Sequence, residues 1–170
     1  AYHSNLYSQA NDLGDFPAVQ DGTIYHGEAY HRPLVKVHSQ TGVTNLFIGR
    51  HAFGIPGLSR EESRVLLKSL LDFVVADEAR LYEQKYRPGH LLVWDNRALL
   101  HCALPYYYTQ LRTVLGTRVA GEDGEFTYHP TDPEAAAGRE ALATELALLR
   151  GESQGRRYKA TMAPDSVAAL

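Results

Sequence analysis

A strand-like run, Leu91-Leu92-Val93-Trp94, enters the turn Asp95-Asn96-Arg97, and a second short run then presents His101. Arg112 opens another strand-like run eleven positions later. An imidazole just past a tight turn can bind a metal, and the planar fork of an arginine can hold a carboxylate in two hydrogen bonds. A His and an Arg on neighbouring strands meet part of what a non-haem iron oxygenase requires. Such an iron takes two histidines and one carboxylate on one face and leaves its other positions open. Spacing alone leaves the plainer reading open, in which His101 is a structural or surface residue and Arg112 a surface charge.

Other candidates surround this pair. His26-Gly27-Glu28 is a His-x-Glu that could complete a facial triad with His101. It lies in a Gly-punctuated stretch, where the alternative is an exposed loop with Glu28 solvated. Tyr106-Tyr107-Tyr108 falls between His101 and Arg112. Tyr107 could wall a substrate site, since an aromatic ring buries a large area and keeps a polar tip, or it could simply pack at a loop edge. Cys102 alternates to the face opposite His101 and receives no catalytic role. His31, His90 and His129 receive none either.

The elements that must position these residues are legible in part. Residues 1–32 read as irregular, punctuated by Gly14, Pro17, Gly22 and Gly27, and suit a lid or active-site loop. Leu34 to His38 and Asn45 to Ile48 form a hairpin around Ser39-Gln40-Thr41-Gly42. Ser59-Arg60-Glu61-Glu62 is a capping box. It opens a helix ending near Ala76, whose Leu66, Leu67, Leu70, Leu71 and Val74 form a core-facing stripe. Strands are expected at Leu81–Lys85, Leu91–Trp94, Ala98–Cys102 and Arg112–Val119. A last helix runs from about Pro133 to Arg150, with Asp132 as its cap and Gly151 closing it. These elements predict a mostly β domain with flanking helices, a sandwich or barrel fragment. It is a single domain over 1–170: a lid-like 1–32, core strands and a helix over 33–122, and a helical extension over 123–170.

Composition narrows the class. A chain of 170 residues that is 44% hydrophobic can build a core. A net charge of −3 argues against a nucleic-acid partner. No apolar run approaches the roughly 18 residues that span a bilayer. One cysteine excludes an internal disulfide and a Cys-rich zinc site, which makes a reducing cytoplasm the default. The start lacks a signal-peptide pattern and a Met, as expected of a processed chain or one that begins mid-protein. Sheet edges and the final Ala/Leu-rich helix could support a homo-oligomer.

Several motifs, in order, resemble the taurine dioxygenase/2,4-D dioxygenase (TauD/TfdA) family of Fe(II)- and 2-oxoglutarate-dependent oxygenases. They are Pro33-Leu34-Val35-Lys36-Val37-His38 with Thr41-Gly42, Leu46 to Ala52, Gly57-Leu58-Ser59 with Glu62, Trp94-Asp95-Asn96-Arg97 with His101, and Arg112 with Arg118 to Glu122. Tyr2-His3-Ser4 resembles the region just before the Pro-Leu-Val strand. The likeness covers about residues 1 to 122. It implies a double-stranded β-helix, or jelly roll, in which His101 is the distal iron ligand and Arg112 pairs with the far carboxylate of 2-oxoglutarate. Trp94 to Arg97 would shape the turn that aims His101, and His38 and His51 would make structural hydrogen bonds. The implied reaction uses dioxygen to hydroxylate a small anionic substrate, with release of succinate and CO2.

Two departures qualify the resemblance. The family's other two ligands form a His-x-Asp upstream of the Pro-Leu-Val strand, and this sequence contains no His-x-Asp. The expectation is therefore the C-terminal part of a jelly roll, incomplete as an iron site. Further, many relatives carry an Arg four positions after Arg112, where Gly116 stands here. Arg118 shares Arg112's parity, but six strand residues span about 20 Å. Gly116 is thus expected to remove an anionic contact and widen the pocket. Two alternatives stay open: a degenerate relative serving as a binding or scaffold module, and another class of metal-binding jelly roll using His26, Glu28 and His101.

Overall fold

The computed structural model describes residues 1–105, 107, 109, 111–119 and 133–155. Its first element, β1 (Tyr2–His3), is the centre of a three-stranded antiparallel sheet in the order β2-β1-β5. Tyr2 pairs with His31 of β2 (Tyr30–His31) and with Phe53 of β5 (Ala52–Phe53). A second sheet is the hairpin β3 (Val35–Val37) with β4 (Thr44–Leu46), in the register Val35↔Leu46 and Val37↔Thr44. Its loop closes where Gly42 donates to the His38 carbonyl, with Gly42 at φ 70, a conformation natural to glycine. The hairpin expected at 34–48 is present.

The opening segment departs from expectation. Residues expected to be irregular hold helix α1 (Asn5–Leu13). Ser4 caps it by accepting from the Leu6 N–H, and Gly14 ends it in the left-handed region at φ 64. Its buried face, Leu6, Tyr7 and Ala10, packs with Phe53 against Leu142 and Leu149 of α3 (Pro133–Gly155). Gly138 brings α3 close to β2, because a Cβ there would collide with the Ala29 carbonyl oxygen. Helix α3 does not close at Gly151 but continues to Gly155. Gly151 has no positive φ, and an interior helical glycine costs only about 1 kcal/mol relative to Ala. Asp132, its expected cap, lies outside the described residues.

Helix α2 (Arg60–Val75) has the expected start. The Ser59 hydroxyl accepts from the Glu62 N–H, and the Glu62 carboxylate accepts from the Ser59 N–H. Its apolar stripe is not core-facing as expected: Leu66 and Leu71 are exposed, while Leu67, Leu70 and Val74 are half-buried. The helix is held instead by its first turn. There Ser63 is buried and accepts from the Ile55 N–H, and Arg60 grips α3. Arg60 Nε and Nη2 donate to Glu145 at 2.8–3.0 Å, and Nη1 donates to Glu152 at 2.7 Å. After α2 comes one 3-10 turn, Glu78–Arg80.

Among the described residues, none of the strands expected between Leu81 and Val119 forms. A strand exists only where a second backbone lies alongside to take its N–H and C=O groups, and here none is paired. What results is a pair of small antiparallel sheets with helices.

Candidate functional site

The stretch that carries His101 is shaped by Asp95. Its carbonyl oxygen accepts from the Ala98 and Leu99 N–H groups at 3.2 and 3.1 Å, which folds the chain back on itself. Its carboxylate accepts from the Arg97 N–H at 2.8 Å, from Arg97 Nη2 at 2.7 Å and from Arg97 Nε at 3.0 and 3.1 Å. This is an Asx-type turn reinforced by a guanidinium. Trp94 Nε1–H donates to Asn96 Oδ1 at 2.8 Å. Across the turn, the Trp94 ring meets the His101 imidazole edge-on, with centroids 5.2 Å apart and planes at 61°.

A long-range partner completes this arrangement. His38, buried at the end of the β3 strand, places Nε2 3.0 Å from Asp95 Oδ2. Its Nδ1 lies 3.2 and 3.3 Å from the Gln40 and Thr41 N–H groups and accepts from them. Nε2 therefore carries the hydrogen and donates to Asp95. The Arg97 guanidinium and then the His38 bond hold the Asp95 carboxyl well below the usual carboxylate range. The sequence signal for this pairing was faint, a histidine closing a β run before a Thr-Gly turn.

The remaining sequence candidates are placed as follows. His101 and Arg112 are both exposed, and the Arg112 guanidinium lies over the Tyr86 ring, 5.1 Å from its centroid. Tyr107 is exposed, whereas Tyr106 and Tyr108 lie outside the described residues, as do Ala120-Gly121-Glu122 and His129. At Gly116 a Cβ would touch nothing within 4 Å. His26 accepts at Nδ1 from the Glu28 N–H, and its Nε2 lies 3.2 Å from the Tyr30 hydroxyl. Glu28 is engaged by Arg139 of α3 at 3.1 Å. His51 Nδ1 is 3.0 Å from the Ser8 hydroxyl.

Among the described residues, no three His, Cys, Asp or Glu side chains converge on a point that could hold a metal ion. His26, Glu28 and His101 are thus not brought together. A facial iron site needs three protein donors, and by the implied mapping only His101 is here. The described residues therefore do not by themselves fit the ion.

One further group escaped the sequence reading. His3 Nε2 is buried without a hydrogen-bond partner among the described residues, and the ring packs on Phe47 at 5.2 Å. Burial first, and then Arg32 and His51 beside it, push its pKa down to about 3.

Comparison with known proteins covers the same ground. Residues 7–118 match the model described as "Taurine catabolism dioxygenase TauD, TfdA family". The chain is 44% identical over 133 residues to an (S)-phenoxypropionate/alpha-ketoglutarate-dioxygenase of Sphingobium herbicidovorans, covering 75% of this chain and 45% of that protein. It is 42% identical over 69 residues to the alpha-ketoglutarate-dependent 2,4-dichlorophenoxyacetate dioxygenase of Cupriavidus pinatubonensis, covering 41% of this chain and 24% of that one. Likeness also extends to an alpha-ketoglutarate-dependent sulfate ester dioxygenase of Pseudomonas putida, 34% identical over 130 residues, covering 72% of this chain and 42% of that protein. The chain thus spans less than half the length of each of these relatives. No solved structure matches it. No helix of the described residues is long and apolar enough to cross a membrane.

Proposed function

Because the chain belongs to the TauD/TfdA family of dioxygenases, we propose that the whole protein is an Fe(II)- and 2-oxoglutarate-dependent dioxygenase, which hydroxylates a small anionic organic substrate and releases succinate and CO2. The observation that carries this reading is the turn Trp94 to Arg97 with His101 and Arg112, all inside the matched residues. Relatives named for phenoxypropionate, dichlorophenoxyacetate and sulfate esters support the anionic substrate class. In this reading residues 1–170 are one domain and the C-terminal part of a jelly roll. The two further ligands would come from the family's His-x-Asp motif, which this sequence lacks.

Iron with 2-oxoglutarate and dioxygen supplies the oxidising chemistry. This chain's residues supply position and charge. His101 would offer one imidazole to the ion. Arg112 would hold the far carboxylate of 2-oxoglutarate in its planar fork, and would have to leave the Tyr86 ring to do so. Tyr107 borders the substrate. Gly116, where the family likeness implies an arginine in many members, would remove an anionic contact and widen the pocket. A reducing cytoplasm suits the exposed free Cys102.

The test is anaerobic titration of the full polypeptide with Fe(II) and 2-oxoglutarate, read by the visible charge-transfer absorbance of the chelate. Arg112→Ala is expected to raise the half-saturating 2-oxoglutarate concentration by about 10- to 100-fold, the equivalent of a lost charge-assisted contact. His101→Ala is expected to abolish the band. A wild-type protein that gives no band would favour a non-catalytic binding module.

A further inference from the structure

We propose that His38 is a positioning residue for His101, acting through Asp95. The inference rests on the reading of His101 as a metal-binding imidazole for its functional meaning, but not for its geometry. Arg97 sits two positions from Asp95, so its bonds to the carboxylate fix the turn's shape and not its place. His38 comes from a separate element, 57 residues away in sequence, and its Nε2–H reaches the same carboxylate at 3.0 Å. It is anchored at its other nitrogen by the Gln40 and Thr41 N–H groups of its own hairpin loop. One buried ring thus joins two turns: the β-hairpin loop on one side and the turn that presents His101 on the other. The Leu100 side chain also approaches the chain just past the hairpin, since a Cβ added at Gly49 would lie 3.9 Å from Leu100 Cδ2. The orientation of His101 against Trp94 consequently depends on this link.

The two ring nitrogens can be separated by substitution. In His38→Asn, the side-chain oxygen can take the Nδ1 role toward Gln40 and Thr41, but the shorter side chain no longer reaches Asp95 from the hairpin, leaving the Asp95 carboxylate with its bonds to Arg97. In His38→Gln, the amide can donate to Asp95 while the loop loses its acceptor. The experiment is NMR on the full polypeptide without added metal, with labelled histidine and tryptophan. It reads the cross-peak between the Trp94 indole and the His101 ring, together with hydrogen exchange at the Ala98 and Leu99 amides. The expected result is loss of the cross-peak and about tenfold or faster exchange in His38→Asn, with both restored toward wild type in His38→Gln. A cross-peak and exchange rates that survive in His38→Asn would overturn the proposal, because His38 would then serve only its own hairpin. Since nothing here depends on iron, a failed chelate titration would sink the functional reading and leave this result standing.

Discussion

Leu142 and Leu91 are equally apolar, yet one is 2% exposed and the other 89%. Leu142 lies where α1, β5 and α3 meet, closed over by Leu6, Tyr7 and Phe53. Leu91 belongs to the stretch that leads into Asp95 and His101, where Val93 is also turned to solvent. The first region is held by burial, a term that grows with the area removed from water. The second is held by hydrogen bonds around one carboxylate, which are directional and individually modest. The difference teaches that the residues with chemical potential sit on the less buried half. Their geometry is set by polar links such as His38 to Asp95 rather than by a packed core.

The comparison can be broken at its packed end first. Leu142→Ala should cost about 2–5 kcal/mol, the range for emptying a buried leucine site, and urea unfolding of the chain measures it. A smaller and pH-dependent effect is expected at His3. Its pKa is about 3 when folded and near 6.5 when unfolded, so between those values the unfolded chain binds the extra proton. The stability tied to the neutral ring is fully present above pH 6.5 and falls as pH drops toward 3, by at most about 1.4 kcal/mol per pH unit. His3→Gln should flatten the pH dependence of the urea midpoint over that window. An unchanged slope would mean that the ring takes up its proton without unfolding. The smallest effect is expected at Leu91, where Ala should change the stability of this chain by less than about 0.5 kcal/mol. A loss comparable to that of Leu142→Ala would show that the His101 stretch is packed after all and would dissolve the contrast.

Legibility followed the range of the interactions. The Ser59–Glu62 capping box and the 34–48 hairpin were readable because each is closed within a few residues. Helix α1 was not, since Asn5–Leu13 is short and its apolar residues gain their meaning from α3, over a hundred positions away. The strands expected over 81–119 lacked a paired backbone among the described residues. In the candidate site, His101, Arg112 and the Asp95 turn could be named from residue order. The sequence suggested hydrogen bonding for His38 without naming its partner, and it gave no sign of the buried His3 nitrogen.

By itself the sequence determined the local devices, namely caps, turns and the order of motifs that carries the family likeness, because these depend on residues near one another in the chain. Tertiary structure alone decided which apolar stripe is covered and which is left to solvent. It also decided that Arg60 clasps Glu145 and that His38 meets Asp95. Those outcomes depend on which distant segments come to lie side by side, and the free energy that selects among such arrangements is spread over many weak contacts rather than written in any one stretch.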